Sequence, residues 1–223
     1  MNKKNLICVL FIGLIGCAAM AIVDGIIMPG YVLKSAIKLL FFFAIPLVSA
    51  LMDREIIFKD VLKFNKKGIL TAIAMGIGVY AIILGGYLLL KDVFDFSKVA
   101  SSLSGNVGVT KSNFIFVAIY ISFVNSFLEE LFFRGYIFTN LKKNGNRVLA
   151  YGVSSILFAL YHVALMTGWF SVGLTALLIA ALAAAGVIFD YLAEKFDTVC
   201  VPWALHMFAN FSINTIGFIL MSQ

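Results

Sequence analysis

The chain has 223 residues, of which 62% are hydrophobic and only 13% are charged, and its formal net charge is +6. Soluble domains are roughly 45–50% apolar and about 25% charged, so this composition excludes a soluble protein and indicates an integral membrane protein. Basic residues beside hydrophobic spans normally set topology and contact lipid headgroups, so the positive charge does not indicate nucleic-acid binding. The length predicts a single domain over residues 1–223.

Seven stretches are long and apolar enough to cross a bilayer as helices, for which about 20 residues are needed. They cover about 5–27, 36–52, 69–90, 113–139, 149–167, 170–192 and 199–221. The sequence therefore predicts an all-α fold, a polytopic membrane bundle of about seven transmembrane helices.

Three further segments have a recognisable composition. Residues 53–68 mix apolar and basic side chains, which predicts a basic amphipathic helix on the membrane surface. Residues 92–112 are rich in serine, glycine and asparagine and are predicted to form a loop. The small residues at Gly85-Gly86 and at 183–186 are expected to form helix contact surfaces.

The distribution of basic residues predicts the orientation. With the N-terminus in the cytoplasm, twelve of the 17 lysines and arginines lie on the cytoplasmic side or near it. The other five lie outside: Lys34, Lys38, Lys91, Lys98 and Lys111. This bias favours a cytoplasmic N-terminus, in what we expect to be a bacterial plasma membrane. The acidic residues before the last span are expected to form a solvated turn: Asp190, Glu194 and Asp197.

The fourth span carries charge within an apolar run, at Glu129, Glu130 and Arg134. Ionisable groups at membrane depth are costly unless they are paired or solvated, so they indicate a functional site. Residues four apart share a helix face, which predicts an ion pair between Glu130 and Arg134. Glu129 lies on a neighbouring face and is expected to be free for chemistry.

The two histidines of the chain, His162 and His206, each lie inside a predicted span. Phe158 precedes His162 by four residues and would form an aromatic wall beside the imidazole. Asn210 follows His206 by four residues, so two polar groups converge from one helix. In the predicted orientation both histidines lie at roughly the depth of Glu129, about 10–20 Å from the cytoplasmic face. This predicts a shared cavity that opens toward the cytoplasm.

These three short motifs, Glu129-Glu130-x-x-x-Arg134, Phe158-x-x-x-His162 and His206-x-x-x-Asn210, resemble those of the CPBP intramembrane protease family. That family includes CAAX prenyl endopeptidases and bacterial bacteriocin-processing and self-immunity (Abi) proteins. The resemblance covers about residues 113–215, the expected catalytic core.

The resemblance implies hydrolysis of a peptide bond in a membrane-associated peptide or protein, by a water that Glu129 and His162 activate. Glu129 would be the general base, and His206 with Asn210 would stabilise the oxyanion. Arg134 would hold Glu130 or a substrate carboxylate. An alternative mechanism uses a zinc ion bound by Glu129, His162 and His206. The metal-free mechanism is favoured, because asparagine is a poor zinc ligand.

Two other functions use the same residues. The chain could be a non-catalytic bacteriocin-immunity or regulatory partner protein, although a complete set of three motifs argues against this. It could also be a small transporter in which Glu129, His162 and His206 relay protons. A transporter would be expected to have internal repeats or broken helices, and the sequence has no clear repeat. In a bacterial host, the expected substrate is a leader peptide, a pheromone precursor or a membrane-bound regulator.

Overall fold

The computed structural model describes residues 3–58, 61–94, 96, 110, 112–166 and 168–222. Seven long apolar helices occur among them, and none of these residues forms a strand. The helices are α1 (Lys3–Ile27), α2 (Tyr31–Met52), α3 (Lys66–Leu90), α4 (Phe114–Lys143), α5 (Arg147–Leu165), α6 (Val172–Phe196) and α7 (Cys200–Ser222). The predicted all-helical bundle with about seven membrane spans is therefore confirmed, and the chain is a multi-pass membrane protein.

Polar side chains fix the starts of three helices. Asn65, Asn146 and Ser171 each accept a hydrogen bond from a backbone N–H in the first turn of α3, α5 and α6, respectively. Such caps satisfy amide groups that would otherwise lack partners. Between α4 and α5, Gly145 has φ +85°, a conformation that favours glycine. These two helices, which carry most of the site, are therefore joined by a tight turn.

Helix α4 is the centre of the bundle. Every residue in 128–138 is buried, and α4 contacts α1, α2, α5, α6 and α7. Its aromatic rings interlock with those of neighbouring helices: Phe132 stacks on Phe42 of α2 with ring centroids 4.1 Å apart, and Phe133 meets Phe158 of α5 edge-on at 5.4 Å. The charged residues in the middle of α4, Glu129, Glu130 and Arg134, are consequently shielded from lipid by the other helices.

The winding of α4 changes on both sides of its two glutamates. The α-helical stretch Ser126–Glu130 lies between two π-helical stretches, Ile121–Asn125 and Leu131–Phe138. Two more π-helical stretches occur among the described residues, Val23–Ile27 in α1 and Leu40–Ala44 in α2. π-Helical insertions shift the direction of the side chains that follow them and occur frequently at functional sites. Side-chain directions in α4 outside Ser126–Glu130 therefore depart from those of a uniform α-helix, although Glu130 and Arg134, four residues apart, still meet.

The predicted surface helix over residues 53–68 is wrong. The described residues of Asp53–Asn65 form turns and irregular backbone, and α3 begins only at Lys66. Three apolar side chains of this segment are buried in the core: Ile56, Phe58 and Val61. The side-chain amide of Asn140 in α4 bonds both the N–H and the carbonyl of Ile57, each at 2.8 Å. For Ile57, this tertiary contact replaces the hydrogen bonds that a helix would supply.

Of the two predicted contact surfaces, only one is present among the described residues. A Cβ atom on Gly186 of α6 would lie 2.8 Å from Cα of Ser155, so the absence of a side chain allows α5 and α6 to approach closely. At Gly85 and Gly86 the structure places no other atom within 4 Å of such a Cβ. Those two glycines do not form a contact with another helix in the described part of the chain.

The cytoplasmic position of the N-terminus stays a prediction. Lys38 was counted outside and Arg134 near the cytoplasmic side. Both are buried inside the bundle, at 1% and 0% exposure, so neither is a topology signal. Without these two, eleven lysines and arginines lie on the predicted cytoplasmic side and four lie outside, so the bias still favours a cytoplasmic N-terminus. Lys59, Lys98, Lys111 and most of the predicted loop, residues 97–109, lie outside the described residues.

Candidate active site

The candidate site is built around the two adjacent glutamates of α4. Glu129 and Glu130 are 3% and 0% exposed, in the α-helical stretch between the two π-helical stretches. Their carboxylates point to different partners, as expected for neighbours about 100° apart on a helix. They nevertheless belong to one polar network, because His206 of α7 lies against both of them.

One carboxylate oxygen of Glu129 accepts three hydrogen bonds. Oε1 accepts hydrogen bonds from Nζ of Lys38 at 2.5 Å, Nδ2 of Asn125 at 2.9 Å and the hydroxyl of Tyr161 at 3.4 Å. Lys38 is in α2 and Tyr161 in α5, so the carboxylate joins three helices. The role of Glu129 in the chemistry stays a prediction, and the structure adds a partner for it: a buried carboxylate needs a compensating charge, and Lys38 supplies it.

The other oxygen of Glu129 faces both histidines. Oε2 lies 3.9 Å from Nε2 of His162 and 3.8 Å from Nε2 of His206. Both distances are longer than a direct hydrogen bond. The three residues thus come from α4, α5 and α7 to surround one small space, and the structure brings together the predicted base and both predicted imidazoles.

The remaining ring nitrogens define how each imidazole is held. Nδ1 of His162 lies 2.7 Å from the backbone carbonyl of Phe158, which can only accept, so this nitrogen carries the hydrogen. Nδ1 of His206 lies 2.8 Å from Oε1 of Glu130 and donates to it when that carboxylate is ionised. In the neutral form of either ring, Nε2 is then an acceptor that faces Oε2 of Glu129.

The predicted ion pair between Glu130 and Arg134 is present, with Nη1 of Arg134 3.2 Å from Oε1 of Glu130. The guanidinium also donates from Nε to Oδ1 of Asp190 at 3.2 Å and from Nη2 to the carbonyl of Gly186 at 3.1 Å. Asp190 is 0% exposed and accepts a further bond from Ser154 at 2.8 Å. Its predicted place in a solvated turn is therefore wrong, whereas the side chain of Asp197 is 80% exposed.

Phe158 forms a wall between the two halves of the network. Its ring lies edge-on to those of His162 and His206, with centroids 4.8 and 5.9 Å apart, and 4.3 Å from the guanidinium carbon of Arg134. Asn210 is buried one turn beyond His206, and its amide donates to the carbonyl of Ile121 at 3.2 Å. That carbonyl belongs to a π-helical stretch. The oxyanion role of Asn210 stays a prediction.

The three residues of the zinc alternative do meet, but their surroundings do not fit a cation. Among the described residues, no group of three histidine, cysteine, aspartate or glutamate side chains is placed to hold a metal ion. The ammonium of Lys38 also lies 2.5 Å from Glu129, where a second positive charge would be repelled.

A cavity lies at the end of the bundle that is opposite the N-terminus, beyond His162. Its lining includes Tyr31, Ala164, Leu165 and Trp169. Of the three converging side chains, that of His162 is the most exposed, at 16%. With a cytoplasmic N-terminus this cavity would face the outside, so it does not support a site that opens toward the cytoplasm.

Sequence reasoning missed Lys38, Asn125, Tyr161 and Asp190. Asn125 precedes Glu129 by four residues and Tyr161 adjoins His162, so their positions in the sequence were a usable signal. Lys38 lies 91 residues from Glu129, and Asp190 lies 56 residues from Arg134. For these two, the signal was a charge within or beside a predicted apolar span.

Comparison with known proteins bears on this region. Residues 111–212 match the family model described as type II CAAX prenyl endopeptidase Rce1-like. Neither the curated proteins nor the solved structures yielded a match. The matched residues include all three motifs and leave out α1, α2 and α3, hence also Lys38. The family resemblance indicated by the motifs is thereby confirmed: the segment of the chain that carries the candidate site is similar to the type II CAAX prenyl endopeptidases.

Proposed function

We propose that this protein is an intramembrane endopeptidase that hydrolyses a peptide bond in a membrane-associated peptide by means of an activated water. The family match suggests a CAAX-type intramembrane protease, and the seven helices supply a membrane setting. The observation that carries the proposal is the convergence of Nε2 of His162 and Nε2 of His206 on Oε2 of Glu129, at 3.9 and 3.8 Å.

The hydrogen-bonding capacities of these atoms support a water between them. With Nδ1 of each histidine donating, three acceptors face one another when the rings are neutral, and each needs a donor. A water molecule supplies two hydrogens and fits polar separations longer than 3.5 Å. Glu129 would take one proton from it while His162 holds the other. The water's lone pair would then attack the scissile carbonyl carbon.

Stabilisation of the resulting oxyanion would come from α7. His206, whose Nδ1 is held by Glu130, would donate from Nε2 when the ring carries a second hydrogen. The amide of Asn210 has a second N–H besides the one bonded to Ile121. A preorganised donor of this kind typically contributes about 3–4 kcal/mol to transition-state binding. The proton held by Glu129 would finally pass to the leaving amine.

Arg134 would act through Glu130 rather than on substrate. Its described hydrogen bonds go to Glu130, Asp190 and Gly186, all inside the bundle. Glu130 in turn holds His206. We therefore assign the Arg134 cluster to orienting the α7 imidazole, and a substrate carboxylate is not needed to satisfy the guanidinium.

The proposed substrate is a membrane-associated peptide, and there are two candidate classes of peptide. The name of the matching family points to a prenylated CAAX peptide. A leader peptide, pheromone precursor or membrane-bound regulator is the alternative that fits a bacterial host, with bacteriocin maturation or immunity as the physiological role.

The experiment uses the purified full chain in liposomes. An internally quenched farnesylated CAAX peptide serves as one probe, and mass spectrometry compares membrane and released peptides from cells that express wild type or Glu129→Gln. Glu55→Gln is the matched control, because Glu55 lies between α2 and α3 and bonds Asn5 outside the site.

We expect cleavage products from wild type and Glu55→Gln and none from Glu129→Gln, His162→Ala or His206→Ala. A double variant should be no slower than a single one, since residues that act as a unit are not additive. Products that persist in Glu129→Gln would exclude the mechanism. If wild type releases no peptide in either arm, the non-catalytic partner protein becomes the better description.

A further inference from the structure

Lys38 is a lysine of α2 whose side chain is enclosed by the bundle at 1% exposure. Its ammonium lies 2.5 Å from Oε1 of Glu129, 2.5 Å from Oδ1 of Asn125 and 2.8 Å from the hydroxyl of Tyr161. An ammonium has three donor hydrogens, and here three acceptors are in place. Lys38 therefore has no donor left with which to bind a substrate.

The contacts of Lys38 act on the orientation of Glu129. Oε1 also accepts from Nδ2 of Asn125 at 2.9 Å, so the donors gather on one side of the carboxylate. Oε2, on the other side, faces the space between the two histidines. We propose that Lys38 is a positioning residue of the active site, which holds Glu129 by one oxygen so that the other is presented to the catalytic water.

The same lysine also supports the first imidazole. Tyr161, which it contacts, adjoins His162 in α5, and the two rings lie edge-on with centroids 4.8 Å apart. The ammonium lies 5.0 Å from the Tyr161 ring and 5.3 Å from that of Phe42. α2 thereby connects the base in α4 with the imidazole in α5, although α2 lies outside residues 111–212 of the family match.

This inference rests on the proposed function, and it differs from a simpler role in which Lys38 only neutralises a buried charge. Loss of neutralisation alone would reduce the number of folded molecules and leave the turnover of each one unchanged. Loss of positioning lowers turnover per folded molecule, because a misplacement of about 1 Å at a catalytic group can cost about 10²-fold in rate.

The test measures kcat and KM for Lys38→Met on the farnesylated peptide probe, per molecule of folded protein isolated by size-exclusion chromatography. Methionine keeps an unbranched side chain and removes the charge and all three donors. Lys142→Met is the matched control, because Lys142 is on α4 and its ion-pair partner, Glu194, lies 3.9 Å away outside the site.

We expect kcat to fall by about 10²-fold in Lys38→Met with KM unchanged, and both values to stay at wild-type level in Lys142→Met. Wild-type kcat in folded Lys38→Met overturns the inference while leaving the proposed function in place. A raised KM with unchanged kcat would assign Lys38 to substrate binding and overturn it as well. A wild type that cleaves no substrate removes both proposals together.

A second measurement covers the case in which Lys38→Met does not fold. The unfolding midpoint in detergent is compared among wild type, Lys38→Met, Glu129→Gln and the double variant. If Lys38 holds Glu129, the double variant is more stable than Lys38→Met alone, because the unpaired buried carboxylate has been removed. Strictly additive effects of the two changes would show that the two side chains are not coupled and would overturn the inference.

Discussion

Replacing Arg134 by alanine tests the polar core of the bundle most directly. The guanidinium is 0% exposed and makes hydrogen bonds to Glu130, Asp190 and the carbonyl of Gly186. Removing one partner of a buried ion pair costs about 3–5 kcal/mol, because the other charge stays buried without compensation. Here two carboxylates lose the same partner, and each already has one oxygen without a hydrogen bond in the described structure. We expect a loss near the upper end of that range.

The assay is the free energy of unfolding in detergent micelles, together with the amount of protein that accumulates in membranes. Arg147→Ala is the control. Arg147 is the first residue of α5, it pairs with Glu194 of α6, and the Arg147 side chain is 66% exposed. We expect that variant to lose much less stability. In Arg134→Ala, adding Asp190→Asn should restore part of the loss by removing one stranded charge.

Two results would refute this reasoning about Arg134. A destabilisation no larger than that of Arg147→Ala would mean that the buried cluster does not contribute to folding. Wild-type stability combined with selective loss of cleavage would assign Arg134 to substrate binding instead of to the orientation of Glu130.

Three further predictions concern packing, chemistry and topology. Gly186→Ala should lower the unfolding midpoint, because its Cβ would lie 2.8 Å from the backbone of α5, whereas Gly85→Ala, with nothing within 4 Å, should leave the midpoint unchanged or raise it. Asn210→Ala should lower kcat by about 10²–10³-fold if it completes an oxyanion hole, and chelators should leave wild-type activity unchanged. Stoichiometric zinc that is lost and restored together with activity would contradict the metal-free mechanism. Single cysteines at Lys143 and Ser102 should react with membrane-impermeant reagents from opposite sides, and labelling from the same side would contradict the seven-span topology.

Local features of the sequence determined the spans and the motifs. A helix crosses the bilayer when about 20 apolar residues follow one another, which needs no knowledge of the neighbouring helices. The pairing of Glu130 with Arg134, and the placement of Phe158 beside His162, likewise follow from the four-residue repeat of a single helix. Interactions of this range can be predicted because chain geometry alone brings the residues together.

Irregular backbone was harder to predict. The segment between α2 and α3 has the composition of a surface helix, yet the N–H and carbonyl of Ile57 bond Asn140, 83 residues away along the chain. Composition could not show which distant side chain would accept and donate there.

The partners of the buried charges were decided by tertiary structure alone. Lys38 resembled a topology signal and Asp190 a residue of a solvated turn, because each is near the end of a predicted apolar span. In the folded bundle the first neutralises Glu129 and the second shares Arg134 with Glu130. A buried charge requires a partner, so the sequence implied that such partners exist. Which residues they are depends on how seven helices pack, since residues far apart in the chain become neighbours only there.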